Sequence, residues 1–190
     1  MARPREFDID EALEKALHVF WAKGYEGAAL SDLTEAMGIN RPSMYSAFGN
    51  KETLFRQALD RYAEGPAAYL HEAIKEPTVG KVVERMLRGV IEATTTPSAP
   101  RGCLIVHGAL ASGDGAASVR SELTARRLAA ESALRRRFKQ AKDLPAGITP
   151  DDLARAVVVA VQGISVEAVN GATKEQLRRV ADLFLRIWDL

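Results

Sequence analysis

Side chains suited to contacting a nucleic acid crowd into one short stretch: Ser31, Asn40, Arg41, Pro42, Ser43, Tyr45, Ser46 and Lys51. Arginine is the commonest partner of guanine, so Arg41, with Ser43, has the chemistry to reach base edges or phosphates. Tyr45 and Lys51 suit phosphate oxygens, contacts that set register without reading sequence. Ser31, at the expected start of the preceding helix, can offer a hydroxyl or a backbone N–H to a phosphate. The bland alternative is a plain helical hairpin with a solvated polar face, because short motifs also match by chance.

Elsewhere reactive chemistry is sparse. Cys103 is the one cysteine and lies in Pro100-Arg101-Gly102-Cys103-Leu104, at an expected helix start. A helix N-terminus and a neighbouring arginine both favour thiolate; the alternative is a buried thiol acting as a small hydrophobe. His18, His71 and His107 have no neighbours at metal-ligand spacing, so neither metal nor cofactor is expected. The chain has no phosphate-binding glycine loop and no nucleophile elbow, and a helix dipole alone explains Asp151-Asp152. With no catalytic pair, an enzyme is not expected. A single cysteine, the lack of an apolar leader and the lack of any 18-residue apolar run favour a cytoplasmic chain with no membrane partner.

The elements that must position these residues are helical. Ile9, Leu13, Leu17, Phe20 and Trp21 form one stripe, with Asp8 as cap and Gly24 as stop. Short helices over 31–37 and 42–48 flank Gly38-Ile39-Asn40, a helix-turn-helix pattern in which the glycine lets the backbone turn. Leu33, Met37, Ile39, Met44 and Phe48 can pack the pair, leaving the polar set outside. A linking helix over 51–63 follows, capped by Asn50. Beyond it, Val79 to Val90 repeat with helical spacing, and helices are expected over 103–112, 117–142 and 150–170, and over 174–189 capped by Thr173 with Gln176 in a capping box. Thr94 to Pro100 reads as a loop. The expectation is an all-α chain of about nine helices. Residues 1–48 form a helix-turn-helix DNA-binding domain joined to the 51–63 helix, and 64–190 form a second helical domain.

Charge looks unhelpful at first, since 26 basic and 25 acidic residues leave a net +1. Residues 1–62 hold eight basic and ten acidic residues, the acids clustering before residue 15. The stretch from Arg41 to Arg61 is locally basic through Arg41, Lys51, Arg56 and Arg61, and Arg3 with Arg5 forms a short basic arm. The largest excess lies in 120–142, read as the solvated face of a long helix with Leu123, Leu128, Leu134 and Phe138 as its buried stripe; a second nucleic-acid patch is the alternative.

Residues 153–169 are apolar nearly all round, and the last helix carries a second stripe. Both can pack on their own core and still have apolar surface left, which predicts a two-fold four-helix interface using Val157, Val161, Ile164, Val180, Phe184, Ile187 and Trp188.

The segment from Gly24-Tyr25 through Leu33-Thr34-Glu35-Ala36-Met37-Gly38-Ile39, Tyr45-Ser46-Ala47-Phe48 and Lys51-Glu52-Thr53-Leu54 resembles the N-terminal domain of the TetR family of bacterial transcriptional regulators. The strong likeness covers about residues 8–62. Met44 and Ala47 depart from it, standing where that family often carries Leu and a polar or aromatic residue. The resemblance implies a homodimer that binds a palindromic double-stranded DNA operator, usually as a repressor, and lets go when a small-molecule inducer enters the C-terminal domain. Candidate inducer contacts there are Tyr69, Met86, Val90, Cys103 and His107, with Leu87, Leu104, Leu110 and Ser112 as further lining. Some regulators of this type carry a similar Gly-Cys-Leu segment and sense oxidants or electrophiles through cysteine, which makes Cys103 an alternative trigger. A helical binding or protein-interaction module without DNA binding is the alternative of another class.

Overall fold

The computed structural model describes residues 7–110 and 116–186. Among them it has ten helices: α1 (Ile9–Gly27), α2 (Leu30–Met37), α3 (Arg41–Phe48), α4 (Lys51–Glu64), α5 (Tyr69–Ala73), α6 (Val79–Thr95), α7 (Leu104–Leu110), α8 (Ala117–Lys139), α9 (Pro150–Val169) and α10 (Lys174–Leu185). The tenth is α5, five residues with no side-chain cap, too short to show a period. Asp8, Asn40, Asn50, Thr78, Thr149 and Thr173 each accept the N–H three residues on, meeting donors that a helix start leaves open. Thr173 and Gln176 complete a reciprocal capping box.

The head, α1 to α4, is built on aromatic packing. Phe55 meets Phe20 edge-on at 4.9 Å and Tyr25 at 5.2 Å, while Trp21 meets Tyr62 at 4.9 Å. Its core does not stop at α4: Leu104, Ala116, Val119 and Leu123 of the later chain join the same buried cluster. The Trp21 indole N–H donates to the Gly102 carbonyl at 2.8 Å, fastening α1 to the turn before α7. Gly102 adopts φ 88, and a Cβ there would lie 2.4 Å from Val169, so only glycine fits. A polar seam also joins α4 to α8: Arg126 pairs with Asp60 at 2.6 Å and Glu122 at 2.8 Å, and Arg56 reaches Glu122 at 2.9 Å. The remaining helices enclose a second core, with Val79, Val82, Val83, Leu87, Val90 and Ile91 of α6 packed against α8, α9 and α10.

Several sequence expectations are corrected. Thr94 and Thr95 belong to α6, not to a loop; inside the helix their hydroxyls donate back to the Val90 and Ile91 carbonyls at 2.6 Å. Helix α8 ends at Lys139, short of residue 142; its last turn tightens where Gln140 and Ala141 donate to the Arg137 and Phe138 carbonyls. Leu128 is 58% exposed. At about 100° per residue it lies some 140° round the helix from Leu123 and so cannot share the buried stripe. Gly24 does break α1, at φ 71, but one further turn follows to Gly27.

Candidate nucleic-acid interface

Gly38 closes α2 in the left-handed region at φ 68, and its N–H turns back to the Glu35 and Thr34 carbonyls. The chain thus reverses in three residues and delivers α3 against α2. Leu33, Met37, Met44 and Phe48 are buried between them. What α3 turns outward is Arg41, Pro42, Tyr45 and Ser46, all exposed, with Ser43 half-buried beside them. Asn40 is exposed, and its side-chain Oδ1 accepts the Ser43 N–H at 2.9 Å, so it also defines where α3 starts. Ser31 is exposed in the first turn of α2, after Ala29, whose own N–H is held by Asp32 at 3.0 Å. Met44, fully buried, serves packing, and Ala47 lies half-buried against the same core.

Charge on this surface is thinner than the sequence suggests. Arg61 reaches back to Asp10 at 3.0 Å and Glu14 at 3.5 Å, and Arg56 is held by Glu52 and Glu122. Acids of α1 and α8 thereby occupy two of the four cations of the recognition stretch. Lys51 lies with its amine 4.6 Å from the centre of the Tyr25 ring. Partial burial there pulls its amine below the ordinary value, opposed by Glu26 and Asp32. Asp32 is held below the usual carboxylate range by the hydrogen bond from Lys23, and then by that from the Ala29 N–H. Arg41 is exposed and unpaired among the described residues. Arg3 and Arg5 lie outside the described residues.

The basic run of α8 is engaged mostly within the protomer. Besides Arg126, Arg137 donates to the Glu76 carbonyl at 2.8 Å, while Arg135 and Lys139 reach Asp151 at 3.4 and 3.6 Å.

A cavity of about 430 Å³ opens between α4, α5, α7 and α8, lined by Leu70, His71, Ile74, Met86, Ile105, Ala129, Ala130, Ala133 and neighbours. Of the candidate inducer contacts only Met86 lines it. Val90, Leu87 and Leu104 are closed inside the two cores, where α6 and α7 pack on other helices. Tyr69 lies across Gly89 on another side, where an added Cβ would sit 2.4 Å from its ring. Cys103 is half-buried beside Tyr62 and Tyr69. Burial, and then the neighbouring Cys103 thiol, push the Tyr62 phenol well above its ordinary 10. Arg101 turns from the thiol to donate to the Ala172 carbonyl at 2.8 Å. The His107 Nε2 is buried near Gly102 and unpaired among the described residues. Ser112 and the Leu110 side chain lie outside the described residues. The lining alanines of α8 carry a readable signal, a run of small residues on one face, that the sequence reading did not use.

On the expected dimer face, Val157 and Ile164 are buried in the chain's own second core, among residues of α6, α8 and α10. Val161 and Phe184 are half-buried and Val180 is 53% exposed; Ile187 and Trp188 lie outside the described residues. The apolar surface left open on α9 and α10 is carried by Val159, Val169, Val180 and Leu183, and a shallow groove runs between the two helices past Ala160, Gly163 and Val180.

A capped helix-turn-helix presenting a polar helix face, joined to a helical bundle, defines a DNA-binding regulator. The family model for bacterial regulatory proteins of the tetR family matches residues 12–58. The HTH-type transcriptional repressor ComR of Escherichia coli strain K12 is 34% identical over 192 residues, 98% of this chain and 91% of that protein. The HTH-type transcriptional repressor BdcR of the same strain is 30% identical over 107 residues, 56% of this chain and 54% of its own. A solved structure of the TetR family transcriptional regulator CifR, a cysteine mutant complexed with a 26-base-pair operator duplex, superposes with a TM-score of 0.92. It is 39% identical, covering 98% of this chain and 100% of that one. The chain belongs to the TetR family of bacterial transcriptional regulators, proteins that act by binding DNA and are not enzymes.

Proposed function

We propose that the protein is a cytoplasmic repressor that binds a palindromic operator as a homodimer and releases it when a small molecule enters the C-terminal bundle. The observation that carries this reading is the outward face of α3, where Arg41 and Tyr45 stand exposed on a helix pinned by Met44 and Phe48. Arg41 and Ser43 reach base edges or phosphates; Tyr45, Ser46 and Lys51 take phosphates, with Ser31 and Asn40 at the helix starts and Pro42 shaping the first turn of α3. A head with so few free cations makes few phosphate contacts, so useful affinity comes from pairing two heads. The open apolar surface of Val159, Val180 and Leu183 supports a two-fold partner across α9 and α10. The division between DNA-binding and ligand-binding parts falls near residue 64. Names of relatives support repression: both ComR and BdcR are called repressors. The test is a gel shift on DNA flanking the protein's own gene, over a salt series, with light scattering on the same sample. Salt-dependent retention by a particle of two chains is expected; no retention at low salt, or a single-chain mass, overturns the reading.

A second reading keeps this head and places the trigger at Cys103, favoured by its packing against the buried cluster that holds Tyr62 of α4, the helix that carries the head. Oxidant should then release DNA from the native protein but not from Cys103→Ser. Equal release from both removes this trigger.

A further inference from the structure

We infer that the cavity between α4, α5, α7 and α8 is a site for an amphipathic organic anion, an apolar body ending in one carboxylate. The inference rests on the ligand-responsive reading above for its regulatory meaning, though not for its binding chemistry. The cavity exists because α8 turns Ala129, Ala130 and Ala133 toward it, so side chains that would fill the space against Leu70, Ile74, Met86 and Ile105 are missing. Its volume of about 430 Å³ falls within the ~300–1,000 Å³ usual for small-molecule sites. An apolar body gains by displacing water from such walls.

The polar groups at its edge are all basic: His71, Arg126 and Arg136, with no carboxylate among the lining residues. They are not equivalent. Arg126 is already neutralised by Asp60 and Glu122 across the α4–α8 seam. Arg136 makes no ion pair among the described residues; it is exposed at the cavity's rim, ten positions further along α8, about 15 Å at 1.5 Å per residue. The head group is therefore held at Arg136, whose fork matches a carboxylate with two parallel hydrogen bonds. The body runs along the alanine face from there. A neutral molecule of the same shape gains the apolar contacts but not this pair, and a cationic one meets the unpaired guanidinium.

Calorimetry with the full chain and two probes, decanoate and decanol below their aggregation limits, tests the site without any DNA. Decanoate should bind about three- to fivefold tighter than decanol, the scale of one charge pair at a solvent-exposed guanidinium. Arg136→Gln should remove that preference while leaving decanol affinity and the melting temperature unchanged. Ala133→Leu, which fills the cavity, should weaken both probes. Equal affinities for the two probes, a preference that survives Arg136→Gln, or no binding of either overturns the assignment. A protein that shows the decanoate preference but retains no operator DNA overturns the regulator reading and leaves the anion site standing.

Discussion

The head and the bundle bury their apolar residues on different terms. In the head, Phe20, Trp21, Phe55 and Tyr62 lock edge to face around a centre in which Leu17, Leu33 and Leu54 are wholly buried. In the bundle, α8 presents alanines to a cavity, and α9 and α10 keep Val159, Val180 and Leu183 in the open. Close packing holds a short recognition helix to one orientation, which reading a groove requires. Unfilled space and uncovered apolar surface are what a ligand and a second chain need. Trp21 to Gly102 and Arg126 to Asp60 are the fastenings through which a change in the second region can reach the first.

The contrast can be broken by substitution, and the largest effect belongs to the head. Phe55→Ala removes a fully buried ring, so unfolding in urea should show a loss of about 3–5 kcal/mol. Ala133→Leu adds volume where a cavity stands open and should change stability by less than about 1.5 kcal/mol. Equal costs would mean that the two regions are packed alike. Next in size, Arg41→Ala should weaken operator binding by about 1–3 kcal/mol in a titration at fixed salt. Arg56→Ala, whose guanidinium is already held by Glu52 and Glu122, should leave DNA affinity nearly unchanged.

Caps should matter equally in both regions. Asn50→Ala and Thr173→Ala each leave an N–H unmet at a helix start and should lower the melting free energy by about 1 kcal/mol. The smallest effect is electrostatic. The hydrogen bond from Lys174, ahead of that from Arg178, holds the Glu92 carboxyl below its ordinary 4.5. A carboxyl depressed by folding stabilises above its ordinary value and loses that contribution as pH falls through the folded value. Glu92→Gln should therefore flatten the acid limb of the stability profile below about pH 4.5, by no more than ~1 kcal/mol for so exposed a pair.

Helices of the head were legible because period, cap and glycine agree: Asp8 and Asn50 each stand where a helix begins, and Gly38 turns the chain where the motif needs it. Tyr45 and Arg41 were legible because the buried partners on α3, Met44 and Phe48, leave them the outer face. Helix α5 was not, since five uncapped residues carry no periodicity. The cavity was not either, because a void is bounded by residues far apart in the chain, and Leu70, Ile105 and Ala133 share nothing until three helices meet.

Local rules were enough for the helix order, the turn at Gly38 and the polar face of α3, since each depends on residues within one or two turns of each other. Tertiary structure alone decided which cations stay free. Arg56 and Arg126 have acids four residues earlier on their own helices, Glu52 and Glu122, but only the approach of α1 to α4 brings Asp10 and Glu14 to Arg61, and only that of α4 to α8 adds Glu122 to Arg56 and Asp60 to Arg126. It also decided that Val157 and Ile164 turn inward while Val159 and Val180 remain outside. A helix apolar nearly all round does not declare which side its own chain covers; that depends on the neighbours that pack against it.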